Sequence, residues 1–381
     1  MTPGLSSARG LALRVLALGA ALLAAAVLAE TFAGGGGRGA VADSVTVEIP
    51  RGATTGQVGR RLAGAGLVDH PRLFTLYVAL RGTEGRLKAG RYRLRRDAGW
   101  GEIASALERG AVETVAVTVP EGFTVREIAP RVADLAGVPV DSVLALARDS
   151  AIADRLGVPG PTLEGYLFPE TYRFAEGLDP ARALGTMVDR YRDFWTARRR
   201  ARADSLGLTE REAVTLASIV EAEARFDRER PIIAAVYLNR LDRGMLLQAD
   251  PTVQYALDEP VPRLLYAHIR QVADDPYNTY TNRGLPPGPI GSPGAASLRA
   301  VLRPADVPYL YFVARPDGSH VFSRTLRQHN RARNRIRRGE PVPPREPSAG
   351  GPATDEDGPK GDEGGPSATG RPPPDAGPEA S

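Results

Sequence analysis

The chain has 381 residues, a net charge of +4 and a hydrophobic fraction of 42%. This length accommodates two or three domains, and a modest charge without a basic stripe among aromatics speaks against nucleic-acid binding. Cysteine is absent, which excludes disulfides and thiolate metal sites. The four histidines show no ligand spacing such as HExxH, so the sequence predicts neither a bound metal nor another cofactor.

The N-terminus carries the first predicted element, an apolar segment at residues 11–29 that Glu30 closes. Its length is close to that which spans a bilayer, and Arg14 near its start can extend its charge to the interface. Because positive residues stay inside, we predict a cytoplasmic N-terminus at residues 1–10 and a single-pass anchor in the cytoplasmic (inner) membrane, with the rest of the chain outside. A cleaved signal peptide is the alternative, which the length of the apolar run disfavours.

A glycine-rich linker leads to an internal repeat. Residues 45–54 and 115–124 share an alternating strand, a Pro-x-Gly turn and a threonine suited to cap a helix, and apolar residues continue at helical spacing after each. In the first copy, Leu87 to Leu94 can supply a closing strand. The pattern resembles the LysM fold, a strand–helix–helix–strand unit that grips glycans in cell-wall proteins; a generic structural module is the alternative. The predicted bounds are 30–44 for the linker, 45–110 for the first copy and 111–160 for the second or connecting copy.

The most informative segment is a nearly charge-free helix that ends in carboxylates. Thr209 and Glu212 form a capping-box pattern, and no side chain from Ala213 to Val220 is charged, so we predict a helix buried on most sides. Glu221 lies in line with small residues, which leave room for a ligand. Burial and a helix C-terminus both disfavour ionisation, so we predict a raised pKa for Glu221. Glu223 and Glu212, on the opposite face, are expected to be solvated.

A carboxyl group that stays protonated near neutrality is the general acid that glycosidic bond cleavage requires, although a glutamate that is simply solvated is the alternative. Further along, Asp250-Pro251 and Ser292-Pro293 each predict a helix cap followed by a first helical residue. Strands at Tyr309–Ala314 and His320–Ser323 around Asp317-Gly318 predict a hairpin, and a basic helix follows. The fold class is α+β, with a mixed α/β catalytic domain at 161–338 and a disordered Pro/Gly-rich tail at 339–381.

Several of these segments occur in the order typical of one family. The chain resembles the membrane-anchored endolytic murein transglycosylases, the MltG or YceG-like proteins, over roughly residues 160 to 335. The matching segments are Leu163 to Tyr172, Ala217 to Glu221, Leu247 to Val253, Tyr277 to Tyr280, Gly284 to Gly294 and Pro308 to Ala314.

The resemblance implies that Glu221, after Ala-Ser-Ile-Val, is the catalytic glutamate. It implies a lyase that cleaves the β-1,4 bond between N-acetylmuramic acid and N-acetylglucosamine within peptidoglycan strands and leaves 1,6-anhydromuramic ends. One carboxyl group is sufficient, because Glu221 can protonate the departing oxygen and then accept the proton of the attacking 6-hydroxyl. Asp250 and Glu164 are alternatives for a second carboxylate. The residues predicted to line the sugar cleft are Gln248, Asp250, Thr252, Asn278, Thr279, Tyr280 and Glu164, with Asn278 and Thr279 best placed for substrate.

Cleavage near the outer face of the membrane would release or terminate nascent strands. The resemblance alone implies peptidoglycan synthases as partners, beside the glycan strands themselves. Two other functions are compatible with the sequence: a non-catalytic LysM-type peptidoglycan-binding protein, and a hydrolytic muramidase that uses Glu221 with a second carboxylate.

Overall fold

The computed structural model describes residues 43–257 and 259–342, together with Gly19. The predicted N-terminal segment at 1–10, the anchor at 11–29 apart from Gly19, most of the linker and the tail from residue 343 onward lie outside the described residues. Within the described part of the chain, no helix combines the length and the apolar character needed to cross a bilayer.

The described residues form a mixed α+β fold, which confirms the predicted class. The strands are β1 (Ser44–Ile49), β2 (Gly90–Arg95), β3 (Thr114–Val119), β4 (Glu170–Ala175), β5 (Tyr311–Ala314) and β6 (His320–Ser323). The helices are α1 (Thr55–Gly64), α2 (Pro71–Leu80), α3 (Trp100–Arg109), α4 (Val125–Ala136), α5 (Val140–Arg148), α6 (Ser150–Leu156), α7 (Pro180–Phe194), α8 (Ala197–Ser205), α9 (Glu210–Glu223), α10 (Arg230–Asp242), α11 (Asp250–Ala256), α12 (Tyr266–Gln271), α13 (Ala295–Leu302) and α14 (Leu326–Arg337).

The internal repeat is visible as two similar antiparallel strand pairs. Strand β1 pairs with β2 and β3 pairs with β4, so that Val47 faces Tyr92 and Val117 faces Tyr172. Each tyrosine donates a hydrogen bond from its hydroxyl group to the carbonyl oxygen four residues earlier, at 2.7 Å for Tyr92 and 2.6 Å for Tyr172. The two copies therefore resemble each other in the closing strand as well as in the first strand, the turn and the helix.

The second copy closes later than the predicted boundary at residue 160. Its return strand β4 spans Glu170–Ala175, inside the region that the sequence assigned to the catalytic domain, and helices α4 to α6 lie between β3 and β4 in the chain. The sequence signal is the Tyr-Arg-Leu beginning at Tyr92, which Tyr-Arg-Phe beginning at Tyr172 echoes. A boundary at 160 would separate two paired strands.

The described residues form two hydrophobic cores, and the boundary between these cores does not follow the boundaries of the internal repeat. The first strand pair and helices α1 to α3 enclose one core, which includes Leu62, Phe74 and Trp100. The second core extends continuously from Val117 on β3 through the middle of α9 to Leu302 on α13. The second copy thus shares its core with the helices that carry Glu221.

Local capping signals fix several helix starts. The side chains of Thr54, Thr124 and Thr209 each accept a hydrogen bond from the third residue of the following helix, and each forms the reciprocal capping box. Two predicted caps are wrong. Helix α11 begins at Asp250 itself, after Ala249, and α13 begins at Ala295 rather than directly after Ser292-Pro293. The predicted hairpin at β5 and β6 is confirmed, with its first strand two residues shorter than expected.

Candidate active site

Glu221 lies in the last turn of α9, directly after the buried part of the helix. Every residue from Ala213 to Val220 is buried, which confirms the prediction drawn from the absence of charge. The side chain of Glu221 is 7% exposed. Its Oε1 accepts a hydrogen bond from Nη1 of Arg230 at 2.8 Å, and its Oε2 accepts one from the backbone N–H of Gly294 at 2.9 Å. Both carboxyl oxygens are therefore held by donors.

Arg230 at the start of α10 connects the elements around this carboxyl group. Its side chain is 9% exposed. Besides Glu221, it donates to Oγ of Ser297 at 2.6 Å and, through Nε, to Asp227 at 3.0 Å. The prediction of a raised pKa for Glu221 considers only burial and the helix end, and no pattern in the sequence indicates the contact with Arg230. Arg230 places a cation against this carboxyl group, a contact that the helix considered alone does not include.

A second carboxyl group, that of Glu121, lies beside this pair. Glu121 belongs to the Pro-x-Gly turn that follows β3. A Cβ atom added to Gly294 would overlap Oε1 of Glu121, so the glycine permits the carboxyl group to approach the same residue whose N–H binds Glu221. Partial burial raises the pKa of Glu121, and the neighbouring Glu221 raises it further. Periodicity did not single out Glu121, because it lies in a turn.

Backbone hydrogen bonds hold the Glu121 turn against the loop before α13. Gly122 donates its N–H to the carbonyl of Ser292 at 2.8 Å, and Ser292 donates its own to the carbonyl of Phe123 at 2.8 Å. A Cβ atom at Gly291 would overlap the carbonyl oxygen of Gly122, so this close approach requires glycine. The two segments thereby enclose the end of α9 from one side.

The expectation that Glu223 is solvated is wrong. Its carboxyl group accepts a hydrogen bond from the hydroxyl of Tyr237 at 2.9 Å, and burial raises its pKa to about 7. Asp250, which the sequence predicted to cap a helix, instead accepts a hydrogen bond from the Tyr280 hydroxyl. Glu212 is exposed, as predicted, and serves the capping box.

The other predicted cleft residues separate into exposed and buried groups. Gln248 is exposed and adopts a left-handed backbone with φ of 50°, which is uncommon for a residue other than glycine. Thr252, Asn278 and Thr279 are at most 1% exposed. Thr252 and Thr279 share a hydrogen bond of 2.9 Å, and Asn278 donates to two backbone carbonyls. Their contacts shape the loops, and their burial argues against direct contact with a sugar.

Glu164 faces a different part of the surface, a cavity of about 600 Å³ beside α4. This volume is within the range of ligand pockets. The carboxyl group accepts hydrogen bonds from the N–H of Val125 at 3.1 Å and the hydroxyl of Tyr255 at 3.3 Å, and burial raises its pKa to about 7. Glu221 is not among the residues that line this cavity. Of the carboxyl groups considered, Glu121 and not Glu164 or Asp250 is the one that meets Glu221 at Gly294.

The raised pKa of Glu164 makes the stability of the fold depend on pH. The folded state keeps the proton up to about pH 7, whereas the unfolded chain releases it near pH 4.5, so stability falls as the pH rises between these values. Glu164→Gln retains an acceptor for the Val125 N–H without the charge. We expect it to leave the free energy of unfolding little changed at pH 4.5 and to raise it by about 1–3 kcal/mol at pH 8. Urea unfolding at both values measures this, and equal effects at the two pH values would contradict it.

The fold and this geometry define an α+β protein with a sheltered glutamate–arginine pair at the end of a buried helix. Residues 47–335 match the sequence model of the YceG-like family, and the chain belongs to that family. This confirms the resemblance drawn from the sequence segments.

Individual relatives agree with this assignment. The chain is 32% identical over 311 residues to an endolytic murein transglycosylase of Bacillus subtilis, covering 77% of this chain and 84% of the relative. It is 30% identical over 317 residues to an endolytic murein transglycosylase of Streptococcus pneumoniae, covering 75% of this chain and 57% of that longer protein. The crystal structure of a YceG-like protein from Listeria monocytogenes is 32% identical, with a TM-score of 0.53, over 76% of this chain and 98% of the other.

Proposed function

We propose that this chain is an endolytic peptidoglycan lytic transglycosylase. It would be a lyase that cleaves the β-1,4 bond between N-acetylmuramic acid and N-acetylglucosamine within glycan strands and leaves 1,6-anhydro-N-acetylmuramic acid ends. Membership of the YceG-like family and relatives named endolytic murein transglycosylases support this proposal. The structural observation that carries it is the sheltered carboxyl group of Glu221, held at a helix end by Arg230 and the Gly294 N–H.

In this proposal Glu221 is the catalytic residue. Cleavage breaks the bond from the muramic anomeric carbon to the departing 4-oxygen, and the 6-hydroxyl of the same sugar forms the new bond. One proton must reach the departing oxygen and one must leave the 6-hydroxyl, so a carboxyl group can serve both transfers in turn. Water is not consumed. Arg230 donates a hydrogen bond to the carboxyl group and so fixes its orientation.

We further propose that the exposed residues of the predicted set contact the sugars. Gln248 and Asp250 are exposed on either side of buried Ala249, and Tyr280 binds the Asp250 carboxylate through its hydroxyl. Such an arrangement offers amide, carboxylate and aromatic groups, which are the side chains that carbohydrates engage by hydrogen bonding and stacking. Glu164 remains a proposed contact through its own cavity.

The predicted position at the membrane is also part of the proposal. Residues 11–29 would anchor the chain in the cytoplasmic membrane, with the folded region outside the cytoplasm, where newly made strands emerge. The strand–helix–helix–strand order of residues 44–95 is consistent with a LysM-like glycan grip. Peptidoglycan synthases would then be partners, because they supply the nascent strands that the enzyme cuts.

Mass spectrometry of digested glycan strands tests the reaction type. We expect internal cleavage and new ends that are lighter by one water than hydrolytic reducing ends. A hydrolytic muramidase would yield reducing ends, and a binding protein would sediment with peptidoglycan and release no soluble fragments. Either result would refute the proposed lyase activity.

A further inference from the structure

The repeated turn carries opposite charges in its two copies. The first copy has Pro50-Arg51-Gly52 after β1, and the second has Pro120-Glu121-Gly122 after β3. Both copies continue with a threonine cap and a helix, so the turn itself does not require a carboxyl group between proline and glycine. The turn alone does not account for the carboxyl group of Glu121, which faces other surroundings than Arg51 does. Those surroundings are the end of α9 and the loop before α13.

The structure brings Glu121 and Glu221 to the same backbone residue. Gly294 donates its N–H to Oε2 of Glu221, and its missing side chain makes room for Oε1 of Glu121. The charged groups that act on Glu121 are Glu221, Arg230, Asp227 and Arg299. Two carboxyl groups that share one site cannot both ionise freely, so one of them retains its proton to a higher pH.

The contacts of the two groups indicate which one holds the proton. Glu221 is 7% exposed and receives hydrogen bonds from a guanidinium group and from an amide, as a carboxylate does. Glu121 is exposed, and no hydrogen bond to its carboxyl group is found among residues 43–257 and 259–342. Nearby protein atoms remove part of the hydration of its carboxyl group, and this loss together with the adjacent charge of Glu221 raises the pKa of Glu121. The accessible Glu121 therefore keeps its proton to a higher pH than an isolated glutamate does.

We infer that Glu121 is the second carboxyl group of the active site and donates the proton to the departing glycosidic oxygen, while the Glu221 carboxylate accepts the proton of the 6-hydroxyl. This inference rests on the proposed function. It assigns to two carboxyl groups the two proton transfers that one carboxyl group could make in turn. The bond from the anomeric carbon to the 4-oxygen breaks and the bond to the 6-oxygen forms. The proton gained by Glu221 then returns to Glu121, so no other reactant is needed.

A substrate that needs no protonation distinguishes the two roles. We compare glycan strands with an aryl β-glycoside of N-acetylglucosaminyl-N-acetylmuramic acid, whose phenolate departs without an acid. Glu121→Gln should lower kcat on strands by about 100-fold or more but on the aryl glycoside by less than about threefold. Glu221→Gln should lower both by about 100-fold or more. Glu102→Gln, at an exposed glutamate on α3, is the matched control and should change neither.

A second measurement uses the pH dependence of kcat on strands. Because Glu121 acts in its protonated form, the wild-type rate should fall as the pH rises through the pKa of Glu121, and Glu121→Gln should lack that fall. The inference is overturned if Glu121→Gln keeps strand activity within about threefold of wild type, if it loses equal activity on both substrates, or if its pH profile is unchanged. Full activity of Glu221→Gln, or wild-type products without anhydro ends, would instead refute the proposed function. Unchanged thermal unfolding of Glu121→Gln verifies that the fold is intact.

Discussion

Glu221→Gln is expected to abolish the formation of 1,6-anhydromuramic ends. The amide cannot accept the proton of the 6-hydroxyl, and loss of general acid–base catalysis typically lowers the rate by about 100- to 10,000-fold. In the variant, the NH2 group of the glutamine must also face a hydrogen-bond donor, either Nη1 of Arg230 or the N–H of Gly294, and it cannot accept from either. A loss of about 1–3 kcal/mol of stability should accompany the change. Liquid chromatography with mass spectrometry of digested strands measures the product.

Folding must be checked separately in this experiment, because the site is buried. Thermal unfolding should show a folded protein with a lowered midpoint, and pull-down with peptidoglycan should still succeed if the strand–helix–helix–strand module of residues 44–95 grips glycan. The exposed Glu102→Gln variant should match wild type in both measurements. A yield of anhydro ends equal to that of wild type would exclude Glu221 as the catalytic residue.

Arg230→Met should have the largest effect on stability. It removes the cation from a Glu221 side chain that is 7% exposed, and it also leaves Ser297 and Asp227 without their shared donor. Removal of one partner of a buried ion pair typically lowers the free energy of unfolding by about 3–5 kcal/mol. Urea unfolding at neutral pH measures the loss. Arg243→Met, at the exposed C-terminal cap of the same helix, should change it by less than about 0.5 kcal/mol.

A double-mutant cycle isolates the pair itself. Combining Arg230→Met with Glu221→Gln should lower the free energy of unfolding by less than the sum of the two single changes. Glu221→Gln removes the negative charge that Arg230→Met leaves without its partner. A coupling energy of roughly 1–3 kcal/mol is expected for groups in direct contact. Additive losses would show that the ion pair does not hold this end of α9.

Local signals in the sequence predicted most of the elements that carry the site. The threonine caps at Thr124 and Thr209 act over three residues, and the hairpin at β5 and β6 depends on one turn. The buried face of α9 follows from eight uncharged positions, Ala213 to Val220. Each of these features is determined by neighbours in the chain, so pattern and propensity were sufficient.

Contacts between distant segments were the part that the sequence did not reveal. Arg230 follows Glu221 after a turn, where helical periodicity no longer relates the two residues. The periodicity of α9 alone predicts a solvated face for Glu223, whereas α10 supplies Tyr237 to that face. Asn278 and Thr279 lie in a polar loop, yet the loop folds inward and satisfies both side chains through backbone and threonine contacts.

The continuous core beneath the second repeat holds the turn that bears Glu121 in place. Val119, at the end of β3, packs into the same core as Val220, one residue before Glu221. The turn that bears Glu121 therefore cannot swing outward as a separate flap without exposing apolar side chains to water. The fold alone therefore sets the position of the Glu121 carboxyl group beside Glu221.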